Sequence, residues 1–371
     1  MSRKPLKESY RLGFDDLEAL TIGAALLGTG GGGNPYIGFL RAREVFRQGA
    51  TVPVIPLEVL TEEDWIGEVG GIGAPVVSAE KFEQGDEGTR ALTAVEAELG
   101  IEVAAMISGE IGGANAMEPV ITAAKLGIGV VDGDGMGRAF PEVQMCTFFI
   151  YGGSVSPAAI ADEKGNVVVY KHVIDMFWLE RMARHTTVDM GATAMLALPP
   201  MRGDFVRKTA VPATVTQAVQ IGRTVLKARK ARQNVVERVV EETGGKLFFT
   251  GKITDIRRHL IGGFARGEAI LSGIGGWAGS EAKIAIQNEN LVLWVDGIPV
   301  LMVPDLIINL ELDTGEPLTT EVLRYGQRIA VIGLPAHDLM KTPKALEVVG
   351  PAAFGYPELT FNPLQSQPKV A

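Results

Sequence analysis

The stretch from Glu102 to Val131 constrains the fold more than any other. Glu102–Ser108 (EVAAMIS) is a short apolar run with the length of a buried strand. Gly109-Glu110-Ile111-Gly112-Gly113 interrupts it, and Asn115–Lys125 then reads as a helix, with Asn115 at the cap and Glu118 three residues on. Pro119 is tolerated only near the first turn of such a helix, and Gly127 ends it before a second strand-like run, Ile128–Val131. A strand–loop–helix–strand unit of this length joins parallel neighbours. Ligands of open α/β sheets collect beyond the carboxyl ends of the strands. Glu110 follows the first strand there, and Asp132 and Asp134 follow the second. These three acids are the expected catalytic groups, able to serve as general base or to hold a hard metal. The string Asp132-Gly133-Asp134 also suits an ordinary turn. Arg138 in the same segment could clamp a substrate carboxylate or neutralise Asp134.

Glycine is the second constraint. The chain has 46 glycines, and they are clustered rather than periodic, which means tight turns or close backbone approach. After Phe14-Asp15-Asp16, a helix-start signal, Leu17, Leu20, Ala24 and Leu27 follow at helical spacing. Gly28-Thr29-Gly30-Gly31-Gly32-Gly33-Asn34-Pro35 then breaks the pattern, and Tyr36–Arg47 reads as a second helix. A tight helix–helix turn needs one glycine. Four in a row suggest a loop that presents backbone N–H groups to an anion. Helix–loop–helix is not the context of a dinucleotide fingerprint, and no GKS or GKT ending makes a P-loop. Gly30, Gly31, Gly32, Gly33 and Asn34, with Asn115, Arg138 and Asn288, are therefore the expected substrate-binding residues.

Further along, Val143–Tyr151 (VQMCTFFIY) reads as a buried strand carrying Cys146 as inert packing. A domain boundary is expected near residue 165, after the turn Glu163-Lys164-Gly165-Asn166. Lys171–Arg184 reads as helical, and Thr214–Glu242 as one long amphipathic helix whose basic run Lys227–Arg232 is a solvated face. Beyond Gly244-Gly245, short β-like runs alternate with turns: Leu247–Ile253, Glu268–Leu271, Lys283–Ile286, Leu291–Val295, Ile298–Val303 and Arg328–Ile332. Asp296-Gly297 marks a hairpin, and Gln287-Asn288-Glu289-Asn290 is a polar cluster between two strands. The expected architecture is an α/β domain over residues 1–165 with a mixed, partly parallel sheet. An α+β domain follows over residues 166–371, helical through 171–243 and β-rich through 246–350.

The totals exclude several classes. A formal net charge of −9 without a long basic run argues against nucleic acid as partner. No run of roughly 18 apolar residues and no signal-like N-terminus occur, so no membrane partner is expected and a cytoplasmic location is. One cysteine allows no intrachain disulfide, and the four histidines show no metal-ligand spacing. No GxSxG elbow is present. The cofactor is left open, with a divalent metal ion on Glu110, Asp132 and Asp134 as the candidate.

The strings GTGGGGNPY, GEIGGANAMEP, VVDGDGMGRAFPEVQM and SPAAIADEKGN resemble the N-terminal half of the S-methyl-thiohydantoin desulfurase family. FFTGKITDIRR, IQNENLVLWVDG, VPDLI, TGEPLTTEVLRYGQRIAVIG and VGPAAFGY resemble its second half. The resemblance spans roughly residues 14 to 360. It implies a hydrolase-like enzyme of hydantoin-type heterocycle catabolism. Such an enzyme removes sulfur from a thiohydantoin or S-methyl-thiohydantoin ring by attack of activated water at the sulfur-bearing carbon. Glu110 or Asp132 would be base or metal ligand, the Gly30–Gly33 amides an anion nest, and Arg138 a clamp. Expected partners are a small polar heterocyclic substrate, further copies of the chain, and hydantoinase- or oxoprolinase-type subunits. The alternatives are a non-catalytic accessory subunit of such a complex, or a nucleotide-dependent enzyme.

Overall fold

The computed structural model describes residues 3, 5–73, 77, 81, 83–261 and 264–364. The first part of the chain runs β1 (Tyr10–Leu12), α1 (Leu17–Leu27), α2 (Pro35–Arg47), β2 (Val52–Ile55), β3 (Trp65–Gly73), α3 (Glu87–Leu99), β4 (Ala105–Ser108), α4 (Glu118–Leu126), β5 (Gly129–Asp134), α5 (Thr147–Ile150), β6 (Ala158–Ala161) and β7 (Val167–Tyr170). A middle part follows with α6 (Met176–Asp189), β8 (Thr193–Arg202), α7 (Gly203–Thr209), β9 (Val211–Pro212), α8 (Thr214–Ala231) and α9 (Val235–Thr243). The last part holds β10 (Lys246–Ile261), β11 (Phe264–Gly273), β12 (Glu281–Gln287), β13 (Glu289–Val295), β14 (Ile298–Met302), β15 (Leu306–Glu311), β16 (Arg328–Leu334) and α10 (Pro343–Val349).

Two sheets organise these elements. The first has the order β1-β2-β5-β4-β3-β8-β6-β7, with β9 on β5. Its centre, β2-β5-β4-β3, is parallel, as the crossover between β4 and β5 requires, while β1, β8, β6 and β7 pair antiparallel. The sheet is therefore mixed. It also runs across residue 165, which lies in the β6–β7 turn, because β8 and β9 complete it from the far side. The second sheet, order β14-β13-β12-β11-β10-β16-β15, is antiparallel throughout. It curls until β15 returns to β13, where the Asn290 Nδ2 group donates to the Ile307 carbonyl at 2.9 Å. Asp296 and Gly297 both take positive φ at the β13–β14 turn, the geometry a two-residue hairpin needs.

Three local expectations are corrected. Val143–Tyr151 is not a strand but a 3-10 turn, Val143–Met145, followed by α5. Its continuous apolar run has no period that would separate strand from short helix. Thr214–Glu242 is two helices. Arg232 takes φ 54° and ends α8, and the Asn234 side chain accepts the Glu237 N–H to start α9. Asn115 does not cap α4: it lies in the 3-10 turn Gly113–Ala116, and α4 begins at Glu118 with Pro119 in its first turn. Finally, the central pair β3–β8 goes unannounced in the sequence, since β3 contains four glycines and β8 contains Pro199-Pro200, residues depleted from strands.

That pair carries a consequence for the site. Ile66 pairs with Met201 and Glu68 with Leu198, so Pro199 and Pro200 both face Gly67 across the ladder. This is a β-bulge, with two residues opposite one. It lies directly beside Glu68.

Candidate active site

A cavity of about 490 Å³ opens between the mixed first sheet and the second sheet. Its floor is Glu68 of β3 together with Ser108, Gly109 and Glu110 at the carboxyl end of β4. Gly31 to Asn34 form one wall, and Asn288, Glu289 and Thr320 reach in from the second sheet. Arg41 and Arg184 bring the positive charge, while Val69, Met136, Phe140 and Leu198 supply apolar surface. Recessed, mostly apolar space with a few converging polar groups is the usual form of a small-molecule site.

Glu110 faces the cavity as expected. Its Oε1 accepts from the Asn115 Nδ2 group at 2.5 Å and its Oε2 from the Phe140 N–H at 3.2 Å. Burial raises its carboxyl to about 7, against the pull of the Asn115 and Phe140 hydrogen bonds. Asn115 is in turn held by β3, accepting the Gly71 N–H at 2.8 Å. It fixes the Glu110 carboxyl through these two contacts rather than capping a helix.

Glu68 was not singled out in the sequence. It is 3% exposed, its Oε2 has no hydrogen-bond partner among the described residues, and burial with the nearby Asp134 and Glu110 pushes its carboxyl up to about 8. Gly109 makes room for it: a Cβ there would lie 2.3 Å from Glu68 Oε1. The same device recurs twice. A Cβ on Gly31 would lie 1.9 Å from Glu289 Oε1, and a Cβ on Gly135 would lie 1.9 Å from Cys146 Sγ. Burial holds the Cys146 thiol well above its ordinary value, so it stays protonated, as an inert buried cysteine does.

The glycine run is a junction of three segments. The Gly30 carbonyl accepts from Thr320 N and the Thr29 carbonyl from Asn290 N, while Gly32 and Gly33 carbonyls accept from Asn115 and Ala114. Gly30 packs on Thr320 and does not line the cavity; Gly31, Gly32, Gly33 and Asn34 do. Asn34 also caps α2 through the Tyr36 N–H at 3.0 Å. The N–H groups of Gly32 and Gly33 have no acceptor among the described residues and remain available to an anion.

Besides Gly30, three expected site residues face elsewhere. Between Met106↔Val130 and Ser108↔Asp134 the register of β4 and β5 slips, and Asp132 does not line the cavity. Its carboxylate accepts from Thr216 N at 3.0 Å and Thr216 Oγ1 at 2.6 Å, at the start of α8. Asp134 is buried and accepts from Ile111, Met136 and Gly137 N–H groups, bracing the loops that carry Glu110. Arg138 is 0% exposed and gives all its donors to Ala139, Pro304 and Asp305 carbonyls, Thr29 Oγ1 and the Asn290 carbonyl. It stitches the glycine loop to the second sheet and has no donor left for a substrate. Burial lowers its guanidinium to about 10, so it stays charged at neutral pH. The ligand set Glu110, Asp132 and Asp134 is therefore not assembled, and among the described residues no three His, Cys, Asp or Glu side chains gather around a metal position.

The chain matches S-Me-THD-like, N-terminal domain over residues 15–172 and S-Me-THD-like, C-terminal domain over residues 174–364. It belongs to the S-Me-THD-like family, that of the S-methyl-thiohydantoin desulfurases. It is also similar to an X-ray crystal structure of a protein from Chromobacterium violaceum, with 25% identity and a TM-score of 0.81 over 96% of this chain and 100% of that one. No curated protein matches.

The S-Me-THD-like name implies a desulfurase-like function. In this S-Me-THD-like chain the cavity draws on both family domains: Glu68 and Glu110 lie in the first, Glu289 in the second. Arg41, also unmarked in the sequence, is bound by Glu83 at 2.7 Å and by Glu118, so its charge is matched inside the protein. Among the described residues no helix is long and apolar enough to cross a membrane.

Proposed function

We propose that this chain removes sulfur from a thiohydantoin or S-methyl-thiohydantoin ring by adding water at the sulfur-bearing carbon. One observation carries the reading: Glu68 and Glu110 flank Gly109 in one cavity with carboxyls raised to about 8 and about 7. At neutral pH one holds its proton while the other gives it up readily, the division of labour that acid–base hydrolysis needs.

For the S-methyl ring, Glu110 takes a proton from water as its oxygen bonds to the carbon. The C=N electron pair moves to the ring nitrogen, which then receives that proton from Glu110. On collapse the C–S bond breaks and Glu68 protonates the departing sulfur. The new hydroxyl becomes the ring carbonyl and returns its proton to Glu68. Methanethiol and a hydantoin are the products, and water supplies one oxygen and two protons. The Gly32 and Gly33 N–H groups offer hydrogen bonds to negative charge that develops during addition.

The test is release of methanethiol, or of sulfide from the thione, in water enriched in oxygen-18. One labelled oxygen per hydantoin formed, with release abolished by Glu110→Gln, is the expected result. A folded protein that releases no thiol or sulfide from a panel of such rings, or a Glu110→Gln variant of unchanged rate, sinks the reading.

A further inference from the structure

We infer that Glu289 is the ring-recognition residue, its carboxyl pairing with the N–H and adjacent carbonyl of a cyclic amide. The inference rests on the reading of the cavity as a site for hydantoin-type rings and adds which residue reads the ring.

The second sheet delivers this side chain with little freedom. Asn288, at φ 57°, forms the turn between β12 and β13; its N–H donates to the Ala265 carbonyl at 2.9 Å and its Oδ1 accepts the Ala265 N–H at 2.9 Å. On the other side Asn290 is held by the Thr29 carbonyl and the Ile307 carbonyl. Glu289 is fixed between two anchored neighbours. It is 2% exposed, lines the cavity, and its Oε2 has no partner among the described residues. A buried polar atom left without a partner costs about 1–3 kcal/mol, so a ligand that supplies one is favoured. The empty side of Gly31 gives the carboxyl its room.

The chemistry that fits is specific. Burial and the neighbouring Glu110 hold the Glu289 carboxyl well above its ordinary value, which favours the acid form, with one O–H donor and one carbonyl acceptor. A lactam presents the matching acceptor and donor on adjacent atoms. The two close a cyclic pair of hydrogen bonds without placing a net charge in the cavity. Thiohydantoin, S-methyl-thiohydantoin and hydantoin rings all carry such an edge, beside the carbon that bears sulfur or, in the product, oxygen.

The experiment uses hydantoin and 1,3-dimethylhydantoin, which lacks every ring N–H, as calorimetric probes of the full chain. Wild type is expected to bind hydantoin at least tenfold more tightly than the dimethyl compound. Glu289→Met should erase that preference. Glu289→Gln should keep it, because a primary amide offers the same donor and acceptor side by side. Gly31→Ala, which displaces the carboxyl from outside, should weaken hydantoin binding as Glu289→Met does and covers the case of a Met variant that melts early. Hydantoin affinity unchanged in Glu289→Met and Gly31→Ala overturns the inference, as does a Gln variant that loses the preference as fully as Met. Absence of wild-type binding overturns it as well. Thiol release measured alongside separates the two claims. Release with Glu289-independent binding removes the pairing alone, whereas Glu289-dependent binding without release removes the reaction and leaves the pairing supported.

Discussion

Strands β3 and β5 both carry buried acids, yet the two strands use them differently. On β5, Asp132 and Asp134 are met by hydrogen-bond donors from α8 and from the loops around residues 111 and 137. On β3, Glu68 meets no donor on one oxygen and is given space by a glycine instead. Burial raises a carboxyl in either setting, at Glu68 with help from the neighbouring Asp134 and Glu110: Asp134 stands at about 7 and Glu68 at about 8. What separates a brace from a reactive acid is where its lone pairs go. Asp134 spends them on backbone N–H groups that shape the loop; Glu68 keeps one oxygen for whatever enters the cavity. Position on a central strand is thus a weaker guide to function than an unanswered hydrogen-bonding atom.

Experiments can break this contrast, and the largest effect is expected at Glu110, the proposed general base. Glu110→Gln should lower thiol release by about 10³-fold with the fold intact, the upper half of what a general base contributes; stopped assays with matched melting curves check it. Glu68→Gln should lower release by about 10²-fold and remove the alkaline limb of the pH profile. In wild type the rate should rise as Glu110 ionises near 7 and fall as Glu68 loses its proton near 8. A profile flat across that range in wild type would separate both groups from the chemistry.

Glu68 should also show in stability. Its folded-state value lies above the ordinary 4.5, so the folded chain binds the proton more tightly than the unfolded one. That contribution is complete below pH 4.5 and is lost as pH rises through about 8. Wild type should therefore lose ground to Glu68→Gln between those limits by a few kcal/mol, roughly 1.4 per pH unit at most, read from denaturant midpoints. Gly109→Ala should cost about tenfold in rate and little in stability, because the added carbon meets the end of the Glu68 side chain and not backbone. The smallest effect is expected at Asp132. Asp132→Ala should cost about 1 kcal/mol, as loss of a helix-start bond does, with turnover of the folded protein within threefold. A larger loss of turnover there would return β5 to the active site.

Much of the frame was legible in the sequence. The β4–α4–β5 crossover follows from two apolar runs, Pro119 and Gly127, and the structure has it with parallel strands. The two helices around Gly28–Asn34 and the β13–β14 hairpin at Asp296-Gly297 are local signals and appear where turn chemistry puts them. Glu110 was legible for the same reason: it directly follows a strand whose length and polarity announce it. Glu68 was not, since Trp65–Gly73 is a strand only because β4 and β8 hold it on both sides. Glu289 was only one member of a polar cluster until the curl of the second sheet brought β13 against the glycine loop. Arg138 looked like a clamp because all its partners but Ala139 lie more than a hundred residues away in sequence.

Local chemistry thus determined where the chain turns, which segments pair as a crossover, and that glycine and acid would meet near residues 28–35 and 109–142. Tertiary structure decided which acids keep a free oxygen. The physical reason is that a carboxylate's role depends on its donors, and for Glu68, Glu289, Asp132 and Asp134 those donors, or their absence, come from segments brought together only by the two sheets.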